Sequence, residues 1–485
     1  MILNSTFLKL NKTSILLAII SALFYLSFAY DLARTDYFKL ITLYISLFFL
    51  FYKLIQINKS NTRLLIYCSF IFRAVFILAI PNLSQDFYRF IWDGRMILEG
   101  FNPYLYTPES FISQDLNPVI QAQELYTGMG VLNGSHFTNY PPINQLCFLI
   151  SSLFMGNTVL GSVIIMRILI IAADFGTLYF GRKLLKLFNL PTHQIFWYIL
   201  NPFIIIELTG NLHFEGVMIF FLTWGLYLLH TKKWVSAALI FALSVSVKLI
   251  PLLFLPLFYQ WFVKRNVITN EVKQSISTNE IATSQVLRND NRDSSLAFRM
   301  TKLITFYLIV GITTILLFLP FYSTEFIYNY AETVGLWFQN FEFNASIYYL
   351  VRAIGYGITG FNEIAIIGKI IPALVLIFVV IMSLFRKNNT TLKLISGMLI
   401  ALSFYYFTTT TVHPWYVATL LILSVFTNYK YPLVWSVVII LSYLGYASSG
   451  TSENLWIIGL EYLIVYSVFF YEVFLKKETN PIFHH

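Results

Sequence analysis

Charge is what this chain has least of. Only 11% of its 485 residues are Asp, Glu, Lys or Arg, where a soluble domain carries roughly a quarter. That deficit excludes an ordinary soluble fold. Short alternating segments are missing too, which argues against a β-barrel; the apolar runs are instead near helix-spanning length. The sequence therefore reads as an all-α polytopic membrane protein. Cysteine is scarce: Cys68 and Cys147 both sit in or beside apolar segments, form no metal-ligand spacing and read as buried thiols. No basic face is interleaved with polar surface. The net charge of +9 is accordingly assigned to cytoplasmic Lys and Arg and not to nucleic-acid binding. The first apolar run follows Lys9 and Lys12, and no small-residue cleavage site follows it. It reads as a first span and not as a signal peptide.

Candidate spans fall at about 14–30, 38–57, 64–80, 158–180, 195–209, 213–230, 234–247, 249–263, 303–320, 364–385, 393–411, 414–427, 431–448 and 455–474, a count of about 11–14. The segment 143–155 is short and follows a Pro-Pro pair, so it is expected as a re-entrant or surface helix. Lys53, Lys59, Arg63, Arg182, Lys183, Lys186, Lys232, Lys233, Lys264, Arg265, Arg386, Lys387, Lys476 and Lys477 then share one side, the cytoplasmic one by the positive-inside rule. The opposite side receives 81–142 and 321–363. The chain divides into N-terminal spans (1–80), an outer loop (81–142), a bundle (143–263), a polar cytoplasmic loop rich in Asn, Ser and Thr (264–302) and a second bundle (303–475) containing the 321–363 loop. No internal repeat of the transporter kind is apparent.

The stretch "NLSQDFYRFIWDGRMILEGFNPYLY" carries unusual charge for its surroundings. Phe87, Phe90, Ile91, Gly94, Ile97, Leu98 and Phe101 recur at helical spacing. Ser84 is the expected N-cap, with Asp86 in the first turn, and Gly100 with Asn102-Pro103 supplies the stop. An interfacial helix with its apolar stripe toward lipid or the bundle is expected. Its charges could simply be a helix N-terminal acid and i, i+4 pairs. Other polar groups at the same face argue for more. His213 and Glu215 crowd a turn that needs neither. Lys248 lies between apolar segments on the outer side, where a cation is costly without a role. Arg352 suits phosphate, and His413, Trp415 and Tyr140 sit at the same leaflet. Against each stands a plain reading: a polar cap, snorkelling, a helix break or an aromatic belt.

With these residues in view, the chain resembles the GT-C superfamily of membrane glycosyltransferases, in particular the polyprenol-phosphate-dependent mannosyltransferase branch. The carrying motifs are "LSQDFYRFIWDGRMILEGFNPY", "NYPPINQ", "NPFIIIELTGNLHFEG", "VKLIPLLFLPL", "FEFNASIYYL" and "HPWY", in family order from about residue 80 to 420. The chain departs from the pattern at Gln85, where two successive acids are common, and at Glu215, where Asp is frequent. The resemblance implies a plasma (inner) membrane protein with its active site facing the periplasm or cell exterior. It implies transfer of a sugar, by expectation mannose, from a polyprenyl-phosphate donor to a glycolipid or glycan acceptor by inverting single displacement. Asp86 takes the catalytic role. Lys248, Arg352 and His413 are expected at the donor phosphate, and Arg89, Trp92, Asp93, Tyr140, His213, Glu215 and Trp415 at the sugar or acceptor. No metal and no further cofactor is expected, the cationic side chains taking that work; membrane lipids and the two substrates are the expected partners.

A polyprenol-glycan flippase or other transporter is the first competing reading, and a lipid-linked glycan polymerase or ligase the second. Concentration of polar groups at one leaflet disfavours the first, and the acidic first loop disfavours the second. Two formal glycosylation sequons, Asn133-Gly-Ser and Asn344-Ala-Ser, fall on the outer side. Sidedness is directly testable: cysteines introduced at Ser277 and Ser113 are expected to label from opposite faces of intact cells. Labelling of both by an impermeant reagent overturns the layout.

Overall fold

The computed structural model describes residues 11–155, 157–264, 283–339, 341–447 and 453–476. Lys9, Arg265, Lys477 and the 266–282 part of the expected cytoplasmic loop lie outside them. The described chain is helical, and the only β feature among the described residues is an isolated bridge between Phe343 and Thr411.

Seven described helices are long and apolar enough to cross a membrane: Lys12–Tyr30, Tyr37–Ile57, Val159–Leu187, Leu296–Phe321, Ile364–Phe385, Thr391–Thr408 and Leu455–Leu475. Shorter apolar helices fill the bundle between them, among them Pro142–Phe154, Trp234–Val247 and Pro414–Val425. Polar residues set the ends. Asp36 accepts the N–H of Lys39 at 3.2 Å, and Thr158 accepts that of Gly161 at 3.0 Å, each satisfying an orphan donor of a first helical turn.

Three expectations are corrected. The span at 64–80 is a 13-residue helix, Thr62–Ala74, continued by turns. The expected polar loop over 264–302 is helical from Thr283 onward, as the front of the Thr283–Phe318 helix; residues 283–302 contain neither Pro nor Gly to stop it. The helix at Asp86–Leu98 does not lie open on a surface. It packs against both Ala122–Gly134 and Pro142–Met155, and Arg89, Asp93 and Arg95 are buried along with Phe87, Phe90, Ile91, Trp92 and Met96. Gly94 makes the second contact possible: a Cβ there would stand 2.3 Å from the carbonyl oxygen of Phe148. The cap also differs, since Ser84 Oγ accepts the N–H of Asp86 at 3.3 Å while Gln85 occupies the cap position.

The helix pair Pro202–Gly210 and Glu215–His230 is bent by 115°. A break there exposes carbonyls in an apolar interior, and each must find a donor. Arg167, fully buried, supplies them: it donates to the carbonyls of Thr209 at 2.8 Å, Gly210 at 2.9 Å and Ile77 at 3.0 Å. Nearby, Arg73 pairs with Asp174 at 2.8 Å and donates to the carbonyl of Ile199 at 2.8 Å. Asn211, in the break, accepts the N–H of Leu83 at 3.1 Å, which ties the bend to the start of the Asp86 helix. Arg167→Gln should strip most of these bonds. With about 1–3 kcal/mol lost per unsatisfied buried group, a clear fall in melting temperature in detergent is expected. An unchanged melting temperature would show that the bend does not need Arg167.

Candidate active site

The chain links that meet at one end of the bundle enclose a cavity of about 400 Å³. Its walls come from Arg34, 83–86, Phe90, Leu132, Asn133, 139–141, Asn144, 213–215, 248–250, Val334, Phe341, Tyr405, Thr409, Thr411, 413–416 and Tyr443. These are links that charge asymmetry in the sequence assigns to the face opposite the Lys- and Arg-rich links.

Asp86 is half-buried and opens into the cavity. Asn133 Nδ2 donates to its Oδ1 at 3.4 Å. Burial pushes its carboxyl up to about 6, a rise that the Asn133 bond and the charge of Lys248 partly oppose and the nearby Glu215 reinforces. A carboxylate with that affinity for a proton is well matched to accept one near neutral pH.

The helix supplies the support behind it. Arg89 Nε bonds Asp93 Oδ1 at 2.8 Å, and the same guanidinium donates to the carbonyls of Asn133 at 2.5 Å and His136 at 2.8 Å. Gln145 donates to the other oxygen of Asp93 at 3.1 Å. Asp93 therefore fixes Arg89, Arg89 fixes the 133–136 turn, and that turn presents Asn133 to Asp86. Arg89, Trp92 and Asp93 do not line the cavity; Trp92 is buried in the core. The expected direct contact of these three with sugar or acceptor is replaced by a positioning arrangement.

Across the cavity, Lys248 Nζ forms an ion pair with Glu215 and lies 4.6 Å from the centroid of the Tyr416 ring. His213 and Trp415 stack with centroids 3.6 Å apart, and His413 stacks on Trp415 at 4.6 Å, nearly parallel. Burial, helped by the charge of Lys248, pushes the His413 imidazole down to about 3. It is neutral, so the cation expected at His413 from the sequence is absent. Tyr140 also reaches the cavity. Arg352 does not: it pairs with Glu342 and lies 4.4 Å from the centroid of the Tyr349 ring. Glu342 stands ten residues earlier in the chain, close enough to take the charge that seemed reserved for a ligand.

Two contributors escaped the sequence reading. The sequence marks Asn133 only as part of a sequon. Arg34 lines the cavity from the short link between the first two spans; the signal was the one that marked Lys248, a cation on the side poor in them. The sequons are engaged inside the protein, Asn133 with Asp86 and Asn344 with Glu461 at 3.2 Å.

Residues 21–264, just over half of the chain, match the family described as Alpha-(1->6)-mannopyranosyltransferase, N-terminal domain. The chain belongs to this family. The matched segment carries Arg34, Asp86, Asn133, Tyr140, His213, Glu215 and Lys248, whereas the 409–416 wall lies beyond it. Among the similar proteins is an Alpha-(1->6)-mannopyranosyltransferase A of Corynebacterium glutamicum, 26% identical over 38% of this chain and 36% of its own length. Another, of the same name, comes from Mycobacterium tuberculosis, 24% identical over 37% of this chain and 33% of its own length. The alignments thus span about a third of these relatives. The resemblance to the mannosyltransferase branch of the GT-C superfamily, drawn from short motifs, is borne out, as is the polytopic all-α fold.

A base at Asp86 has a pH signature. Its carboxyl must be ionised to act, so the limb lies on the acid side: kcat/KM for sugar transfer should be level above about pH 7. It should fall roughly tenfold per pH unit below about 6. A profile level down to pH 5 would remove Asp86 as the titrating group.

Proposed function

We propose that this protein is a membrane mannosyltransferase that moves a mannosyl group from a polyprenyl-phosphate donor to a glycolipid or glycan acceptor at the outer face of the plasma membrane. The observation that carries the proposal is Asp86: a carboxylate with raised proton affinity, opening into a cavity with cationic and stacked aromatic walls, inside the segment that matches the family. The relatives' names favour mannose as the sugar. A donor on the outer side would be lipid-borne, because nucleotide sugars are made in the cytoplasm.

The reaction is a single inverting displacement. The acceptor oxygen bonds to the anomeric carbon while the bond from that carbon to the phosphate oxygen breaks. The acceptor's proton passes to Asp86, and the bonding pair leaves with the phosphate. One base suffices, unlike the paired carboxylates of a hydrolase. The leaving phosphate needs charge stabilisation more than a proton, and Lys248 can give it. His213 and Trp415 present flat faces suited to a sugar ring, Tyr140 lies beside them, and His413 can donate to phosphate as a neutral imidazole. Glu215 holds Lys248 in place and can accept from sugar hydroxyls. No step in this scheme calls for a metal.

Asp86→Asn preserves size and can still meet Asn133, but it cannot take a proton. Turnover with polyprenyl-phosphate mannose should fall by about two to four decades at matched folded protein, with donor binding kept. Asp93→Asn leaves Arg89 buried without its carboxylate, so its effect should appear first as lost stability and only secondarily in turnover. Near wild-type transfer by Asp86→Asn, with transfer abolished in folded Asp93→Asn, would move the base to Asp93.

A further inference from the structure

Asn144 carries an amide oxygen with nothing to accept. It stands in the first turn of the Pro142–Met155 helix, is only 3% exposed and lines the cavity. Its Oδ1 is buried without a hydrogen-bond partner, so it does not cap the helix that begins two residues earlier. Such an orphan is costly in the folded protein unless a ligand completes it. Its polar neighbours have partners. Gln145 donates to Asp93 at 3.1 Å and to Thr138 at 3.2 Å, which holds the same helical turn in place. Asn133 donates to Asp86 at 3.4 Å and to the Met129 carbonyl at 3.3 Å.

The helix that carries Asn144 packs against the Asp86–Leu98 helix. Phe90, one turn beyond Asp86, meets Tyr140, just ahead of the Asn144 helix, with ring centroids 5.0 Å apart, and both rings line the cavity. A phosphate beside Asp86 would set two negative groups against each other. A hydroxyl would not, and it can donate to the oxygen of the Asn144 amide or accept from its nitrogen, whichever end faces it. In the proposed reaction the attacking oxygen of the acceptor lies within hydrogen-bond reach of Asp86. A sugar acceptor carries further hydroxyls on adjacent carbons, and one of these falls to the wall beside the carboxylate.

We propose that Asn144 binds a second hydroxyl of the acceptor sugar and so aims the attacking hydroxyl at Asp86. The assignment rests on the reaction proposed above and narrows its acceptor class to a sugar with a free hydroxyl besides the one that attacks, which excludes a simple alcohol. It also sets Asn144 apart from a structural amide. Removing a structural amide costs stability, whereas removing Asn144 costs acceptor recognition and leaves no protein group newly unpaired.

The test uses the full-length protein in detergent, polyprenyl-phosphate mannose as the donor, and octyl α-mannoside with its monodeoxy forms as acceptor probes. For the wild type, loss of one hydroxyl other than the attacking one should lower the acceptor kcat/KM by about five- to fiftyfold. Asn144→Ala should lower kcat/KM for octyl α-mannoside by about the same factor and make that deoxy form no worse than its parent. The donor KM should stay the same, and the melting temperature of the ligand-free variant should stay level or rise. Asn144→Leu, closer in size, replaces Asn144→Ala if the latter does not fold. Deoxy penalties that persist undiminished in the folded variant overturn the assignment. Binding of octyl α-mannoside to the donor-free protein separates this site from the reaction it rests on. Asn144-dependent binding without transfer by the wild type supports the hydroxyl site and overturns the enzymatic reading, and binding indifferent to Asn144 overturns the assignment even if transfer proceeds.

Discussion

The bonds from Arg167 to the carbonyls of Thr209 and Gly210 are what the site is built on. A helix broken inside an apolar bundle leaves carbonyls with nothing to accept, and the break survives only where a donor is brought to it. Arg167 does so from the long Val159–Leu187 helix. The turn at 211–214 then stays at the bend, carrying His213 and bonding to the chain just ahead of Asp86 through Asn211. Arg73 and Asp174 brace the same region. Charges so deep in an apolar fold are expensive unless fully engaged, and here the engagement is with backbone that would otherwise be unsatisfied.

The cavity depends on a second economy of charge. Nearly every ionisable group near it is matched: Asp93 by Arg89, Glu215 by Lys248, Glu342 by Arg352. What distinguishes Asp86 is that its partner is an amide, Asn133. An amide steadies a carboxylate without fixing it in the ionised form, so the proton affinity stays high. An arginine in Asn133's place would hold the acid ionised and blunt it as a base.

Much of this was legible in the sequence, for reasons that differ by residue. Long apolar runs gave the helices, since span length and hydropathy are nearly sufficient in lipid. Asp86, His213, Glu215, Lys248, His413 and Trp415 were conspicuous because polar residues stand out against such a background. Arg352 was misplaced because a sequence shows charge and not pairing: Glu342 lies across a turn and takes it. Arg73, Arg167 and Asp174 were overlooked because they lie inside runs whose average is apolar, and a window average hides the residues that hold the helices together. The burial of Asp93 was equally hidden, because periodicity shows an apolar face and not whether the other face is covered too.

Gly94 has a consequence for where the cavity can change shape. With its Cα lying against the Phe148 carbonyl, the Asp86 helix and the Pro142–Met155 helix are locked backbone to backbone, with no compressible side chain between them. Neither can slide without the other. The wall that bears the carboxylate is therefore a fixed jamb. Elsewhere on the cavity wall, the 341–346 segment meets 410–412 through two backbone hydrogen bonds, Phe343 N–H to the Thr410 carbonyl at 3.1 Å and Val412 N–H to the Phe343 carbonyl at 2.8 Å. The close backbone contact at Gly94 leaves the Asp86 wall no room to give, so widening of the cavity falls to its other walls.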